Sequence, residues 1–256
     1  MRTFRLTLCY DGGRYNGFQR QGNTDNTIQE KLETLLSRLL EQPIEIAASG
    51  RTDAGVHARS QVCSFRADTE KDCPALLAEI RRYLPEDIGA TALEEAEARF
   101  HARLSAREKT YVYRIWNSAA PNVFQRRYTY TLAEALNVPA MEEAAALLTG
   151  EHDFAAFCTK SGKKKSTVRT LRRLQITREG EELRLWFTGD GFLYNMVRIL
   201  TGTLIEVGQG ERAPADISAA LLDGQRSSAG FTAPANGLTL WEVRYEGEGS
   251  FADLKS

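Results

Sequence analysis

Cysteine and histidine are scarce in this chain, and their spacing excludes the common zinc-binding and disulfide frameworks. There are four cysteines and three histidines in 256 residues. No two cysteines form a Cys-x-x-Cys pair, and each histidine falls in a separate segment, so neither type shows metal-ligand spacing. The four thiols are instead typical of reduced, partly buried side chains in a cytoplasmic protein.

The sequence also lacks the motifs of several enzyme classes. It contains no P-loop, no Gly-x-Gly-x-x-Gly fingerprint after a strand, no Gly-x-Ser-x-Gly elbow and no deaminase zinc signature. Any chemistry must therefore be carried out by ordinary side chains, and we expect no metal and no cofactor.

Long apolar runs are absent as well. No stretch approaches the length of a membrane span, and residues 1–5 lead straight into a strand-like segment rather than a signal peptide. Hydrophobic residues make up 42% of the chain, which is enough for real hydrophobic cores. We expect a globular cytoplasmic protein without membrane association.

The chain has no large excess of positive or negative charge, since its formal net charge is -1. The charges are unevenly spread, however. Residues 160–173 carry seven lysines and arginines and no acid, whereas residues 68–97 are rich in Asp and Glu. This distribution permits a basic RNA-binding face on a neutral protein. The lysine run could equally be a solvated loop.

The first part of the chain shows a regular order of predicted elements. Thr27 and Glu30 have capping-box spacing ahead of apolar residues at helical intervals, and Pro74 opens a second helical pattern. The elements are a strand at Phe4–Tyr10, a helix from Thr27, strands at Ile44–Ala48 and Val62–Phe65, a helix at Pro74–Leu84 and a strand in Ala90–Ala98. This order is typical of a split βαβ, ferredoxin-like unit.

The remaining sequence partly repeats this pattern. Its predicted elements are a strand in Tyr111–Trp116, helices at Pro139–Leu148, Tyr194–Val207 and Pro214–Leu222, and strands at Thr167–Ile176, Leu183–Thr188 and Leu238–Tyr245. The expected fold class is α+β, with two ferredoxin-like (RRM-like) halves whose mixed, mainly antiparallel sheets flank a central active-site cleft. We place the halves at residues 1–105 and 106–256.

The stretch Ser49–Ala58 is the leading candidate for a catalytic loop. It joins two predicted strands and contains Arg51, Asp53, Gly50 and Gly55. The glycines allow a positive φ or a close backbone approach, so Asp53 would be held on a tight loop at a sheet edge. The residues alone leave open whether Asp53 is catalytic or only hydrogen-bonds its own turn.

Arg198 and Tyr111 are further candidates for the same site. Arg198 lies one turn into an apolar helix, where it is either an exposed arginine or the partner of a buried carboxylate. Tyr111 and Tyr113 alternate onto one face of their strand, where aromatic rings either belong to the core or stack on a nucleobase.

The sequence motifs in these segments resemble those of the TruA family of tRNA pseudouridine synthases. Gly50–Ala58 resembles that family's catalytic loop, Phe192–Gly202 its arginine motif, and Tyr111–Trp116 its tyrosine-containing strand. Three more segments match in the family's order: Tyr10–Gln19, His152–Phe157 and Ala233–Leu238. The stretch Lys163–Arg169 departs from the family, which more often has Asn before Thr-Val-Arg.

The resemblance implies a function and roles for five residues. It implies isomerisation of uridine to pseudouridine at positions 38, 39 and 40 of the tRNA anticodon stem-loop, without a cofactor, by a homodimer. Asp53 would be the catalytic residue, as nucleophile or as general base. Arg198 would keep Asp53 ionised, and Tyr111 would stack on the uracil. Arg51 would hold the flipped nucleotide, and Leu238 would line the pocket.

Other functions are compatible with parts of the sequence. A non-catalytic RNA-binding module would not need the set of Arg51, Asp53 and Arg198. A carboxylate-dependent hydrolase generally needs a second carboxylate, and no candidate with comparable context is present. The same isomerisation on another RNA, such as ribosomal RNA, is the alternative that the sequence distinguishes least well from action on tRNA.

Overall fold

The computed structural model describes residues 1–159 and 166–248, and their contacts divide the chain into two compact units. The first unit comprises residues 1–107 together with those from Leu240 onward, and the second comprises residues 108–239. The described residues form an α+β protein with five α-helices and mixed, mostly antiparallel strand pairing. In the residues described, no helix is both long and apolar enough to cross a membrane.

The first unit contains a sheet with two helices. Its elements are β1 (Arg2–Tyr10), α1 (Ile28–Leu40), β2 (Ala47–Ala48), β3 (His57–Ala67), α2 (Cys73–Tyr83), β4 (Ile88–Ala96) and, from Leu240, the last strand β10 (Leu238–Arg244). The strands follow the order β4-β1-β3-β10, and β1 is antiparallel to both β3 and β4. The predicted order of strands and helices is therefore confirmed.

The core of the first unit is built where the sheet meets the two helices. Phe4 pairs with Phe65 across β1 and β3, and their stacked rings have centroids 5.1 Å apart. Leu32 and Leu36 of α1 and Leu76 of α2 are completely buried. The N-cap half of the predicted capping box is confirmed, because the Thr27 hydroxyl accepts a hydrogen bond from the Glu30 amide at 3.3 Å.

The prediction of a strand over Ile44–Ala48 is mostly wrong, because only Ala47 and Ala48 pair with β3. Side chains of α1 satisfy the preceding backbone amides instead. The Ile44 amide donates to Ser37 Oγ at 2.9 Å, and the Ile46 amide donates to Glu33 Oε1 at 3.0 Å. Once those donors are bonded to the helix, this stretch does not need a sheet partner.

The second unit contains a four-stranded antiparallel sheet with one added parallel strand. Its elements are β5 (Glu108–Asn117), β6 (Tyr130–Leu132), α3 (Val138–Leu148), β7 (Gly150–Asp153), β8 (Val168–Glu179), β9 (Glu182–Gly189), α4 (Met196–Gly208) and α5 (Asp216–Asp223). The order is β5-β9-β8-β7, and β6 pairs with β5 in parallel. The short strands β6 and β7 are not predicted from the sequence.

Helix α4 is the most buried helix of the second unit, with apolar residues on almost every side. It begins two residues later than predicted, because Asn195 adopts the left-handed conformation with φ of 61°. This turn directs the chain from β9 into the helix. Helix α5 also begins two residues later than predicted, at Asp216.

Candidate active site

The loop Ser49–Ala58 of the first unit forms a tight turn directly after Asp53. The Val56 amide donates to the Asp53 carbonyl at 3.1 Å, and Gly55 takes a φ of 79°. The expected left-handed conformation is therefore confirmed at Gly55, whereas Gly50 does not adopt a positive φ. Asp53 is partly buried on this turn, and Arg51 is exposed.

The last residue of β1 and the loop that follows this strand hold the turn in place. The Tyr10 hydroxyl and Thr52 Oγ1 are hydrogen-bonded at 2.8 Å, and the Phe18 amide donates to the Thr52 carbonyl at 3.0 Å. Tyr10 is 5% exposed, and burial raises the pKa of its phenol, so the hydroxyl remains protonated. The turn that carries Asp53 is thus held by hydrogen bonds to a separate part of the chain.

Glycines make this bracing possible at two positions. A Cβ atom on Gly12 would lie 1.9 Å from the Val56 carbonyl oxygen, so no larger residue fits there without displacing the loop. Gly17 has a φ of 93°, and a Cβ atom on it would lie 3.0 Å from the Thr52 carbonyl oxygen. The segment Tyr10–Gln19, one of those that resemble the family, therefore supports the loop that carries Asp53.

In the second unit, the two tyrosines of β5 have different partners. Tyr111 is 7% exposed and meets Phe192 edge to face, with ring centroids 5.1 Å apart. Tyr113 is completely buried and donates from its hydroxyl to the Pro234 carbonyl at 2.8 Å. Burial raises the pKa of Tyr113, and the positive charge of Arg198 offsets only part of that rise. Tyr113 therefore remains a neutral hydrogen-bond donor.

Arg198 is fixed by two hydrogen bonds and is not an exposed arginine. Its Nε donates to the Ala233 carbonyl at 2.7 Å, and its Nη1 donates to Asn195 Oδ1 at 3.0 Å. The Ala233 amide donates in return to the Arg198 carbonyl at 3.1 Å. The partly buried guanidinium is held by the start of α4 and by the segment that leads to β10.

Leu238 begins β10 directly after a short 3-10 turn at Ala235–Gly237, and it is 5% exposed. Gly237 lies against the ring of Tyr113, because a Cβ atom on it would be 2.6 Å from Tyr113 Cζ. The second unit therefore brings Tyr113, Arg198 and the segment Ala233–Leu238 together. Asp53 and Arg51 lie on one loop of the first unit.

Metal ligands are not part of this arrangement. In the portion of the chain that the structure describes, no group of three or more His, Cys, Asp or Glu side chains could hold a metal ion. All four cysteines carry free thiols, and burial raises the pKa of Cys63, so this thiol is not activated as a nucleophile.

Comparison with known proteins identifies the family of this chain. A family model described as tRNA pseudouridine synthase matches residues 8–104 and 144–246, which include Arg51, Asp53, Arg198 and Leu238. The chain belongs to the tRNA pseudouridine synthase family. The matched residues cover most of both units.

Individual relatives of this family extend the similarity over almost the whole chain. "tRNA pseudouridine synthase A" of Bacillus sp. (strain KSM-64) is 45% identical over 96% of this chain and 100% of that protein. "tRNA pseudouridine synthase A 2" of Bacillus anthracis is 43% identical with the same coverage. "tRNA pseudouridine synthase A" of Geobacillus kaustophilus is 44% identical over 95% of both chains. These relatives confirm the resemblance to the TruA family.

The sequence does not indicate the main contact of Tyr113. Strand alternation groups Tyr113 with Tyr111, but it does not predict the hydrogen bond from Tyr113 to Pro234. The two bonded residues lie 121 positions apart along the chain. The motif containing Ala233 and Pro234 is the available signal, since the sequence identifies this motif without indicating its partner.

Proposed function

We propose that this pseudouridine synthase acts on uridines 38, 39 and 40 of the tRNA anticodon stem-loop. The isomerisation of uridine to pseudouridine in tRNA is the activity expected from family membership. The observation that carries the proposal is that Asp53 is partly buried on a turn held by hydrogen bonds from the end of β1 and from the loop after β1. A carboxylate held in this way is suited to act on a fixed atom of a bound nucleotide.

In the proposed reaction, the enzyme breaks the N-glycosidic bond, turns the uracil and rejoins it through C5. Asp53 acts as the nucleophile or as the base that removes a ribose proton. The reaction transfers no electrons and no external group, so it needs no redox cofactor and no group carrier. Once the bond between C1′ and C5 has formed, the C5 hydrogen leaves as a proton, and N1 of the uracil takes up a proton in place of its bond to the ribose.

The other site residues have complementary proposed roles. Arg198 keeps Asp53 ionised, a role that suits a guanidinium held in place by Ala233 and Asn195. Arg51 occupies the space left by the flipped uridine. Its side chain is exposed and therefore available for RNA. Tyr111 stacks on the uracil, and Leu238 lines the pocket.

The proposal extends to the architecture around the site. We propose that the two halves are ferredoxin-like units that flank a central active-site cleft. We also propose that the enzyme is a homodimer, in which both subunits contribute basic surface to one tRNA. The cytoplasm is the proposed location, because tRNA is available there.

Tritium release from tRNA carrying 5-tritiated uridine tests the proposal. We expect release by the wild-type protein and at least about 100-fold slower release by Asp53→Asn, which keeps the size of the side chain but removes its basicity. tRNA transcripts with uridine only at position 38, 39 or 40 test each proposed position separately.

Three other results would contradict parts of the proposal. Equal release by wild type and Asp53→Asn would exclude the role of Asp53. Tritium release from ribosomal RNA but not from tRNA would show a different RNA substrate. Tight tRNA binding without release by the wild type would favour a binding module.

A further inference from the structure

One face of α4 is joined to the segment Ala229–Leu238, which contains the carbonyl that holds Arg198. The helix residues concerned are Arg198, Gly202, Thr203 and Glu206, whose spacing of four, one and three places them on the same side.

Two side chains of α4 receive backbone amides of this segment. The Gly230 amide donates to Thr203 Oγ1 at 2.9 Å, and the Phe231 amide donates to Glu206 Oε1 at 2.9 Å. The hydroxyl of Thr203 is itself directed by its bond to the Ile199 carbonyl at 2.8 Å, so its oxygen faces Gly230 as an acceptor. Successive amides of the segment are thus bonded to the helix.

Glu206 is held in place from the other side by Arg212. The Arg212 guanidinium contacts Glu206 Oε2 through Nε at 3.1 Å and through Nη2 at 3.0 Å. Its Nη1 donates to the Ser228 carbonyl at 2.8 Å, which fixes the residue before the same segment. The carboxylate therefore joins the segment, the helix and the turn after the helix.

Glycines allow the segment to approach the helix closely. A Cβ atom on Gly202 would lie 1.9 Å from the Phe231 carbonyl oxygen, and one on Gly230 would lie 2.7 Å from Thr203 Cα. Backbone packing this close leaves little freedom for the segment to shift along the helix. Ala233, two residues after Phe231, then exchanges hydrogen bonds with Arg198.

We propose that Thr203 and Glu206 are positioning residues of the reaction. They set the place of the Ala233 carbonyl, which directs the Arg198 guanidinium, and they set the course of the chain to Leu238. The inference rests on the proposed function, because it assigns Arg198 and Leu238 to the active site. Thr203 and Glu206 act through those residues and do not contact the RNA.

The chain offers a closely matched pair of variants to test the role of Thr203. Thr201 and Thr203 are both fully buried in α4, and each hydroxyl donates at 2.8 Å to the carbonyl four residues earlier. Only Thr203 also accepts an amide of the segment. Thr203→Val and Thr201→Val therefore remove the same group from similar surroundings, but only the first leaves the Gly230 amide without its acceptor.

The two variants are compared by tritium release at saturating and limiting tRNA. We expect Thr203→Val to lower kcat about tenfold relative to Thr201→Val, with KM for tRNA unchanged within about twofold, because a small misplacement of Arg198 affects the chemical step. Thr203→Ser, which keeps the hydroxyl, should restore most of kcat. Glu206→Gln, which keeps an acceptor for Phe231 but loses the ion pair with Arg212, should show an intermediate loss.

Hydrogen exchange separates failure of this inference from failure of the proposed function. Thr203→Val should speed amide exchange in residues 229–233 more than Thr201→Val does, whether or not tRNA is the substrate. Equal kcat and equal exchange in the two valine variants would overturn the positioning role. Absence of tritium release from the wild type would overturn the proposed function, and the exchange comparison would still decide whether Thr203 holds the segment.

Discussion

At the scale of single residues, the position of the loop that carries Asp53 depends on a glycine whose hydrogen atom faces another backbone. Gly12 lies against Val56, three residues after Asp53, and leaves no room for a Cβ atom. Gly22 has no positive φ, and no atom lies within 4 Å of the position that a Cβ atom would take there. The same chemical change therefore has opposite consequences at these two positions.

We predict that Gly12→Ala displaces the loop, destabilises the protein by about 1–3 kcal/mol and strongly reduces tritium release. Gly22→Ala should leave activity unchanged and either preserve or slightly raise stability, since it restricts only the unfolded chain. Urea unfolding and the release assay measure both effects. Wild-type activity and stability in Gly12→Ala would show that the contact with Val56 is not needed.

At the scale of elements, the pairing of β5 with β9 places two arginines opposite each other, and one carboxylate between them offsets their repulsion. Arg114 lies directly opposite Arg184 in the antiparallel register, and like charges in this position are unfavourable. Glu182 Oε1 accepts hydrogen bonds from Arg114 Nε at 2.8 Å and from Arg184 Nε at 2.6 Å. Burial by itself would raise the pKa of Glu182, but the hydrogen bonds from both arginines outweigh it and lower the pKa.

This lowered pKa predicts a pH-dependent contribution to stability. The unfolded chain binds a proton at Glu182 more readily than the folded protein does, so the contribution is present above the ordinary glutamate pKa, about 4.3, and is lost as the pH falls through the lower folded value. Glu182→Gln should therefore cost about 1–3 kcal/mol at pH 7 and progressively less below pH ~4.

Glu181→Gln is the control for this measurement, because Glu181 is the exposed neighbour of Glu182. Urea unfolding at neutral and acidic pH should show no comparable change for this variant. A stability difference between wild type and Glu182→Gln that stayed the same at both pH values would rule out the proposed charge effect.

At the scale of the whole molecule, the net charge is close to zero, but positive charge is concentrated in residues 160–173. Lys163, Lys164 and Lys165 belong to this stretch but lie outside the described residues. Their role in tRNA binding remains a prediction from the sequence. Binding of RNA by lysines releases counterions, so it can be recognised by its dependence on salt.

We predict that replacing Lys163, Lys164 and Lys165 together by Ala reduces the slope of log affinity for tRNA against log salt concentration by about 2. The reaction rate at saturating tRNA should be unchanged. A variant with the exposed Arg82, Arg99 and Arg103 replaced by Ala changes the net charge equally and serves as the control. An identical loss of slope in both variants would indicate a general charge effect, and no loss in the lysine variant would indicate a solvated loop.

Much of this protein could be predicted from short stretches of its sequence. The helix after Thr27, the order of elements in the first unit and the turn after Asp53 follow from capping, periodicity and a glycine at the turn. Each of these depends on residues close together in the chain, whose conformational preferences do not need a distant partner. The tight turn after Asp53 is of this kind, whereas the contacts of Tyr10 and Gly12 that hold the loop in place come from a separate segment.

Other features were decided only by the tertiary structure. Ile44 and Ile46 are typical strand residues, but their amides donate hydrogen bonds to side chains of α1. The hydrogen bond between Tyr113 and Pro234 joins residues 121 positions apart. The contacts of Thr203 and Glu206 with Gly230 and Phe231 likewise join segments 25–27 residues apart. A hydrogen bond between distant segments depends on where the whole chain places its donor and acceptor, and local sequence pattern carries no record of that pairing.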